Sequence, residues 1–274
     1  MSTRVKAALV ALLCLQIGVA YAMESTKNRA ALGTSVAVDS GGRLWVALSR
    51  SDHGVAKILV QGSDDEGKTW RAPVQAVAGE PVAADGENRP KLAFGPKDEM
   101  YVTWTSPTSE KFTGDIRFAR SLDAGRTWSA PLVVHRDRQL LSHRFESLLV
   151  DSSGRIWVAW VDKRDLQAAQ NTKREYAGAA IYYAYSDDRG ASWQGDFKLA
   201  DNSCECCRIA LTVDTKGRVA ALWRHVFPPN ERDHAFALLR SVPSGAGSPR
   251  NRSADSEDRA AASAISWGAI TRVT

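Results

Sequence analysis

Apolar residues in this chain recur in short runs, without the long three-to-four-residue stripes of amphipathic helices. The clearest run is Ile156-Trp157-Val158-Ala159-Trp160-Val161. In an extended strand Ile156, Val158 and Trp160 point to one side, and Trp157, Ala159 and Val161 to the other. Both sides are apolar, so the strand is covered on both faces and belongs inside stacked sheets. Each such run follows a polar turn. Val38-Asp39-Ser40-Gly41-Gly42-Arg43-Leu44-Trp45-Val46-Ala47 matches Val150-Asp151-Ser152-Ser153-Gly154-Arg155-Ile156-Trp157-Val158-Ala159. Val213-Asp214-Thr215-Lys216-Gly217-Arg218-Val219 is a third copy, and Phe94-Gly95-Pro96-Lys97-Asp98-Glu99-Met100-Tyr101-Val102 is a looser one. Each copy predicts strand, tight turn, strand. Third strands follow over Ala56–Gln61, Ile116–Arg120, Ala180–Tyr185 and Ala235–Arg240, and a fourth strand over Ala130–His135.

A second pattern closes the third strands. It reads Ser63-Asp64-Asp65-Glu66-Gly67-Lys68-Thr69-Trp70, Ser121-Leu122-Asp123-Ala124-Gly125-Arg126-Thr127-Trp128 and Ser186-Asp187-Asp188-Arg189-Gly190-Ala191-Ser192-Trp193. Five positions hold in every copy, and each has a structural role. The carboxylates of Asp65, Asp123 and Asp188 accept turn amides, and Gly67, Gly125 and Gly190 supply a positive φ. The hydroxyls of Ser63, Ser121 and Ser186 tie down the flank, and Trp70, Trp128 and Trp193 carry apolar surface into the core. Four antiparallel strands per repeat of about 55–65 residues make a propeller blade. A β-sandwich does not explain why the same strand-turn-strand unit precedes every octapeptide.

These octapeptides resemble the Asp-box repeats of the sialidase-like (bacterial neuraminidase) propellers, over roughly Leu32 to Leu239. The resemblance implies an all-β propeller of four-stranded antiparallel blades. Such propellers usually close six blades, whereas this chain shows about four. The fourth begins at Arg208 and fails at its box, where Ser241 and Gly245 match but Pro243 and Ser248 replace Asp and Trp. The expected organisation is a leader over residues 1–22, blades over 23–240 and an irregular tail over 241–274, with a truncated or frame-shifted longer propeller as the sharper reading of that tail.

Charge and cysteines add less. Arg4 and Lys6, the apolar run Ala7–Val19 and Ala20-Tyr21-Ala22 make an export signal with cleavage before Met23. No stretch is long enough for a stable membrane span. The formal net charge is +5, and loss of Arg4 and Lys6 with the leader lowers it to +3. The basic residues are scattered, which argues against nucleic acid as a partner. Removal of Cys14 leaves three cysteines, all in Cys204-Glu205-Cys206-Cys207, so this is not a disulfide framework. The expected setting is periplasmic or secreted.

Residues just ahead of each innermost strand line a propeller's mouth. Arg89, Arg144 and Arg208 hold that position, six or seven residues ahead of the turn. Converging guanidiniums make a carboxylate clamp, and sialidases are similar in using an arginine triad for this purpose. Inter-blade salt bridges are the competing role. The family's Arg-Ile-Pro motif is absent, with Arg89-Pro90 the nearest match; the resemblance also implies an acid/base Asp and a Tyr nucleophile polarised by a Glu, and Glu175-Tyr176 is not diagnostic of that Tyr. Asp162, Arg164 and Asp165, and Arg232, Asp233 and His234, follow the inner hairpins and are candidate mouth residues, although charge runs also make solvated loops. Cys204, Cys206 and Cys207 offer soft ligands for copper or zinc, with His143, His225 and His234 as possible additions. A disulfide from Cys204 to Cys206 or Cys207 with one thiol left over is the other reading. The functional expectation is an exo-alpha-sialidase-type glycoside hydrolase, or a binder of a small acidic sugar or other anion. The alternative is a non-catalytic metal-handling propeller.

Overall fold

The computed structural model describes residues 33–84, 87–227, 234–242 and 265–273. The leader and its cleavage site lie outside these residues, as do Arg232 and Asp233. The described chain is all-β apart from one helix.

The first antiparallel sheet is β1 (Thr34–Val38), β2 (Leu44–Asp52), β3 (Val55–Ser63) and β4 (Val74–Ala78), and the second is β5 (Lys91–Phe94), β6 (Met100–Pro107), β7 (Gly114–Ser121) and β8 (Leu132–Val133). The third is β9 (His143–Val150), β10 (Ile156–Asp162), β11 (Ala179–Ser186) and β12 (Gln194–Ser203), with α1 (Arg164–Asn171) between β10 and β11. Then come β13 (Ile209–Val213), β14 (Val219–Val226), β15 (His234–Val242), β16 (Ser266–Trp267) and β17 (Thr271–Val273), joined to the third group where Ser203 pairs with His225. The first strands β1, β5, β9 and β13 lie side by side in that order.

Three apolar layers fill the spaces between successive groups. Ile58, Val60, Val102 and Trp104 lie between the first two, and Phe118, Ile156, Val158 and Trp160 between the second and third. Trp157, Ala159, Tyr183, Trp223 and Leu239 lie between the third and fourth. β10 therefore feeds both neighbouring layers, as its two apolar faces require.

The boxes form as their residue types dictate. In the second, the Gly125 amide donates to Ser121 Oγ at 2.8 Å, and the Thr127 amide and hydroxyl donate to the Asp123 carboxylate at 2.9 and 2.7 Å. The first and third repeat this pattern. Hydrogen bonds from Thr127 hold the Asp123 carboxyl down to about 2. At Asp188 burial opposes the shift, yet bonds from Ser192 and Ser186 still bring it to about 2. Trp128 and Trp193 pack into the layer shared with the preceding sheet. Trp70 does not fill a core as expected: it is 39% exposed, because among the described residues no sheet precedes its own.

The earlier turns use an aspartate cradle. Asp39 Oδ1 accepts the Gly41 and Arg43 amides, and Oδ2 accepts Trp45 Nε1. Asp151 does the same with Ser153, Arg155 and Trp157. In the looser copy Gly95 stands in the aspartate position. There Glu99, four residues on, turns its carboxylate back to accept the Lys97 amide at 3.0 Å.

Of the expected failed box and irregular tail, residues 243–264 lie outside the described residues, whereas 241–242, 266–267 and 271–273 are in strands. Ser241 pairs with Trp267 and Val242 with Ser266, so Ser266-Trp267 supplies the Ser/Thr-Trp end of a box begun at Ser241. The Gly268 amide donates to Arg240 O, as Arg71 does to Gly62 and Ser129 to Arg120. β17 then pairs with β15 at Thr271–Leu238, which matches Val74–Val60 and Leu132–Phe118 in the first two sheets. Among the described residues the fourth group is thus four-stranded, with Ser241 and Ser266-Trp267, the two ends of a box, brought together by strand pairing.

Candidate functional site

Strand register sorts the candidate residues by end. Asp162 pairs with His143 and Ala180, and Ala179 with Ser203, so these positions share one end of the third sheet. The boxes and aspartate cradles occupy the other end. Arg89, Arg144, Arg208, Asp162–Asp165 and the cysteines therefore gather at the end opposite the boxes.

Two of the three arginines converge on Phe145. The Arg144 and Arg208 guanidinium carbons lie 4.8 and 5.2 Å from the centre of its buried ring. Phe145 has φ +61°, an unfavourable conformation for an aromatic residue that the surrounding packing must hold in place. Arg208 also reaches Glu87, ahead of the second sheet, at 2.8 Å, and donates to the Cys206 carbonyl at 3.2 Å. Arg89 is exposed, and its carbonyl accepts from Lys91 Nζ at 2.9 Å. Sequence reasoning missed Lys91 and Glu146, although each stands two residues after one of the candidate arginines, Arg89 and Arg144. Burial lowers the Lys91 pKa, with Glu146 opposing and Arg89 and Arg208 assisting. Burial pushes the Glu146 carboxyl up; its Oε2 accepts from Thr105 at 2.8 Å, and its Oε1 has no partner.

The Asp162 segment is not a solvated loop. Asp162 is fully buried and takes Trp160 Nε1 at 2.8 Å and Arg164 Nη2 at 2.6 Å. Arg164 also touches Asp196 at 2.8 Å and Asp137 at 3.4 Å, which ties the β8–β9 connection to β12. His143 stacks on His135 with ring centres 4.0 Å apart. Asp165 lies in the first turn of α1 and binds the Tyr182 hydroxyl and Lys198. His234 begins β15. Tyr176 donates to Asp201 rather than to Glu175.

Three groupings carry metal-ligand atoms. Asp115, His135 and His143 are compromised because His135 Nε2 already accepts the Ile116 amide. Asp137, His143 and Asp162 have Arg164 seated against both carboxylates. The cysteines are not blocked in this way. In the β12–β13 turn, Cys204 Sγ lies 2.7 Å from Cys207 Sγ and 3.6 Å from Cys206 Sγ, and all three residues are free cysteines. A cavity of about 410 Å³ lies beside them, lined by Phe112, Leu141, Lys163, Gln167 and Glu205 among others, with a Lys163–Glu205 ion pair in its wall.

Residues 44–247 match the BNR repeat-like domain family. No curated protein matches the chain. Among solved structures, the chain is similar to the Penicillium chrysogenum alpha-L-arabinanase complexed with arabinobiose, at 16% identity and TM-score 0.53, over 76% of this chain and 61% of that one. It is also similar to an ulvan lyase bound to -[GlcA(1-4)Rha3S]-, at 14% identity and TM-score 0.52, over 76% and 52%. A mutant of the NanB sialidase of Streptococcus pneumoniae matches at 10% identity and TM-score 0.53, over 88% and 51%. The chain thus spans between half and three fifths of the length of these proteins, and the likeness is one of fold.

Proposed function

The chain belongs to the BNR repeat-like domain family, and from that premise we propose that it is an exported, sialidase-like propeller that binds an acidic sugar at an arginine-lined mouth. In this reading the four sheets are successive blades. The bare outer faces at Val36 and Val38 of β1, and at Phe236 of β15, are where further blades would pack.

The observation that carries the reading is the placement of Arg144 and Arg208 on Phe145, with Arg208 already holding the Glu87 carboxylate. A half-exposed ion pair of this kind contributes little to stability, so a ligand carboxylate can take Glu87's place at small cost. Hydrolysis is less well supported. Glu146 has the raised carboxyl of a general acid but is buried, and Tyr176 is bound to Asp201, with its phenol pushed upward by burial and by that bond. Binding with weak or absent turnover of sialosides is the expected behaviour.

Calorimetric titration with N-acetylneuraminic acid, glucuronic acid and arabinobiose tests this. The acidic sugars should bind, and Arg144→Ala or Arg208→Ala should each weaken them about tenfold or more. Glu87→Gln should tighten them by freeing Arg208. Affinity indifferent to sugar charge and to all three variants would refute the clamp, and brisk release from a fluorogenic sialoside would refute the weak-turnover part.

A further inference from the structure

We propose that Cys204, Cys206 and Cys207 form a three-sulfur site for copper(I) beside the arginine mouth. The turn itself assembles the site. The Cys204 amide donates to Arg224 O on β14, which anchors the start of the turn to the sheet. The Cys207 amide then donates to Cys204 O at 3.4 Å, folding the segment back so that the first and last sulfurs face each other. All three sulfurs lie within 4.8 Å of one another.

A metal held by three thiolates at about 2.3 Å in a trigonal plane sets neighbouring sulfurs about 4.0 Å apart. The Cys204–Cys206 separation of 3.6 Å is already close to that. Cys207 needs a side-chain rotation of the kind an unbranched thiol makes readily.

Ligand number favours copper(I) over zinc. A closed structural zinc site takes four protein donors. Among the described residues no histidine or carboxylate joins these sulfurs within the same reach. Three soft thiolates with nothing harder beside them suit a soft monovalent ion. Burial is graded across the set: Cys204 is 6% exposed, Cys207 half-buried and Cys206 exposed. The ion would thus be anchored from within and open on one side. Charge is partly compensated too, since Arg224 acts on both Cys204 and Cys207.

The site is also coupled to the mouth. The carbonyl of Cys206 holds Arg208, and Glu205 between the ligands holds Lys163 in the cavity wall. Metal binding would fix the backbone that positions one arginine of the clamp.

The test uses the full chain, reduced and kept anaerobic, with copper(I) titrated in competition with bathocuproine disulfonate. The expected result is about one copper(I) per chain with sulfur-only coordination by X-ray absorption. Cys206→Ser, at an exposed position, should fold with an unchanged melting curve and hold copper(I) about tenfold or more weakly. Preference for zinc over copper(I) in direct competition overturns the proposal. So does equal uptake by the wild type and Cys206→Ser, or thiol counting that finds a re-formed disulfide and no copper bound.

Discussion

At Gly95 the chain has exchanged one carboxylate for another. Glu99 fills the cradle from the far side, and a Cβ on residue 95 would stand 2.4 Å from its Oε2. Gly95→Ala should therefore cost about 1–2 kcal/mol by displacing the acceptor of the Lys97 amide. Its effect should shrink in a Glu99→Ala background, where the clashing side chain and the acceptor are both gone, which urea melts of the double-mutant cycle would show. The histidine stack carries a pH signature. His135 is fully buried between its Nδ1–H bond to Asp137 O and the Ile116 amide on Nε2. Burial, and then His143, depress it to about 4. The unfolded chain takes up this proton near 6.5, so stability is complete above that pH. It is lost as pH falls towards 4, by about 3 kcal/mol. His135→Gln keeps an acceptor for Ile116, and its melts between pH 4 and 7 should show a flatter acid limb. A wild-type curve flat over that range would remove the assignment. None of this was legible in the sequence. Glu99, His135 and Glu146 look like ordinary strand-end or alternating polar positions until neighbouring strands enclose them.

The first three boxes were legible because their residues are contiguous and their spacing is fixed by a hydrogen-bonded turn. The fourth was not, because its two ends, Ser241 and Ser266-Trp267, are separated in sequence and meet only by strand pairing. A search for eight consecutive residues stops at Pro243. Trp267 does the work of a box tryptophan, meeting Trp157 and Tyr183 edge-on at 6.2 and 5.5 Å. Trp267→Ala should cost about 2–4 kcal/mol, somewhat below a fully buried tryptophan because the side chain is only partly covered. Denaturant titration followed by hydrogen exchange should place the loss in β15 and its neighbours; unchanged protection there would mean that β16 is not part of the sheet's stability. The arginine position was also readable from the repeat. The burial of Asp162 was not, since a run of four charges gives no hint that Arg164, Asp137 and Asp196 will close around it.

Across the whole molecule the two ends of the sheets differ in content, with boxes and aspartate cradles at one end and the arginines and cysteines of the proposed mouth at the other. Ser121→Ala, at a buried box serine that holds the Gly125 amide, should lower stability by about 1–2 kcal/mol and leave sugar affinity alone. Arg208→Ala should do the reverse. Paired melts and titrations on both variants check this, and a box variant that loses binding at native stability would break the division. The interrupted box has a further consequence. Since Val242 and Ser266 are paired, the chain leaves the fourth sheet and rejoins it at one point. Closing a loop costs only about 0.6 kcal/mol for each doubling of its length. A reporter or a whole folded module spliced between Val242 and Ser266 should therefore cost little, because these two flanking residues are already held together by strand pairing.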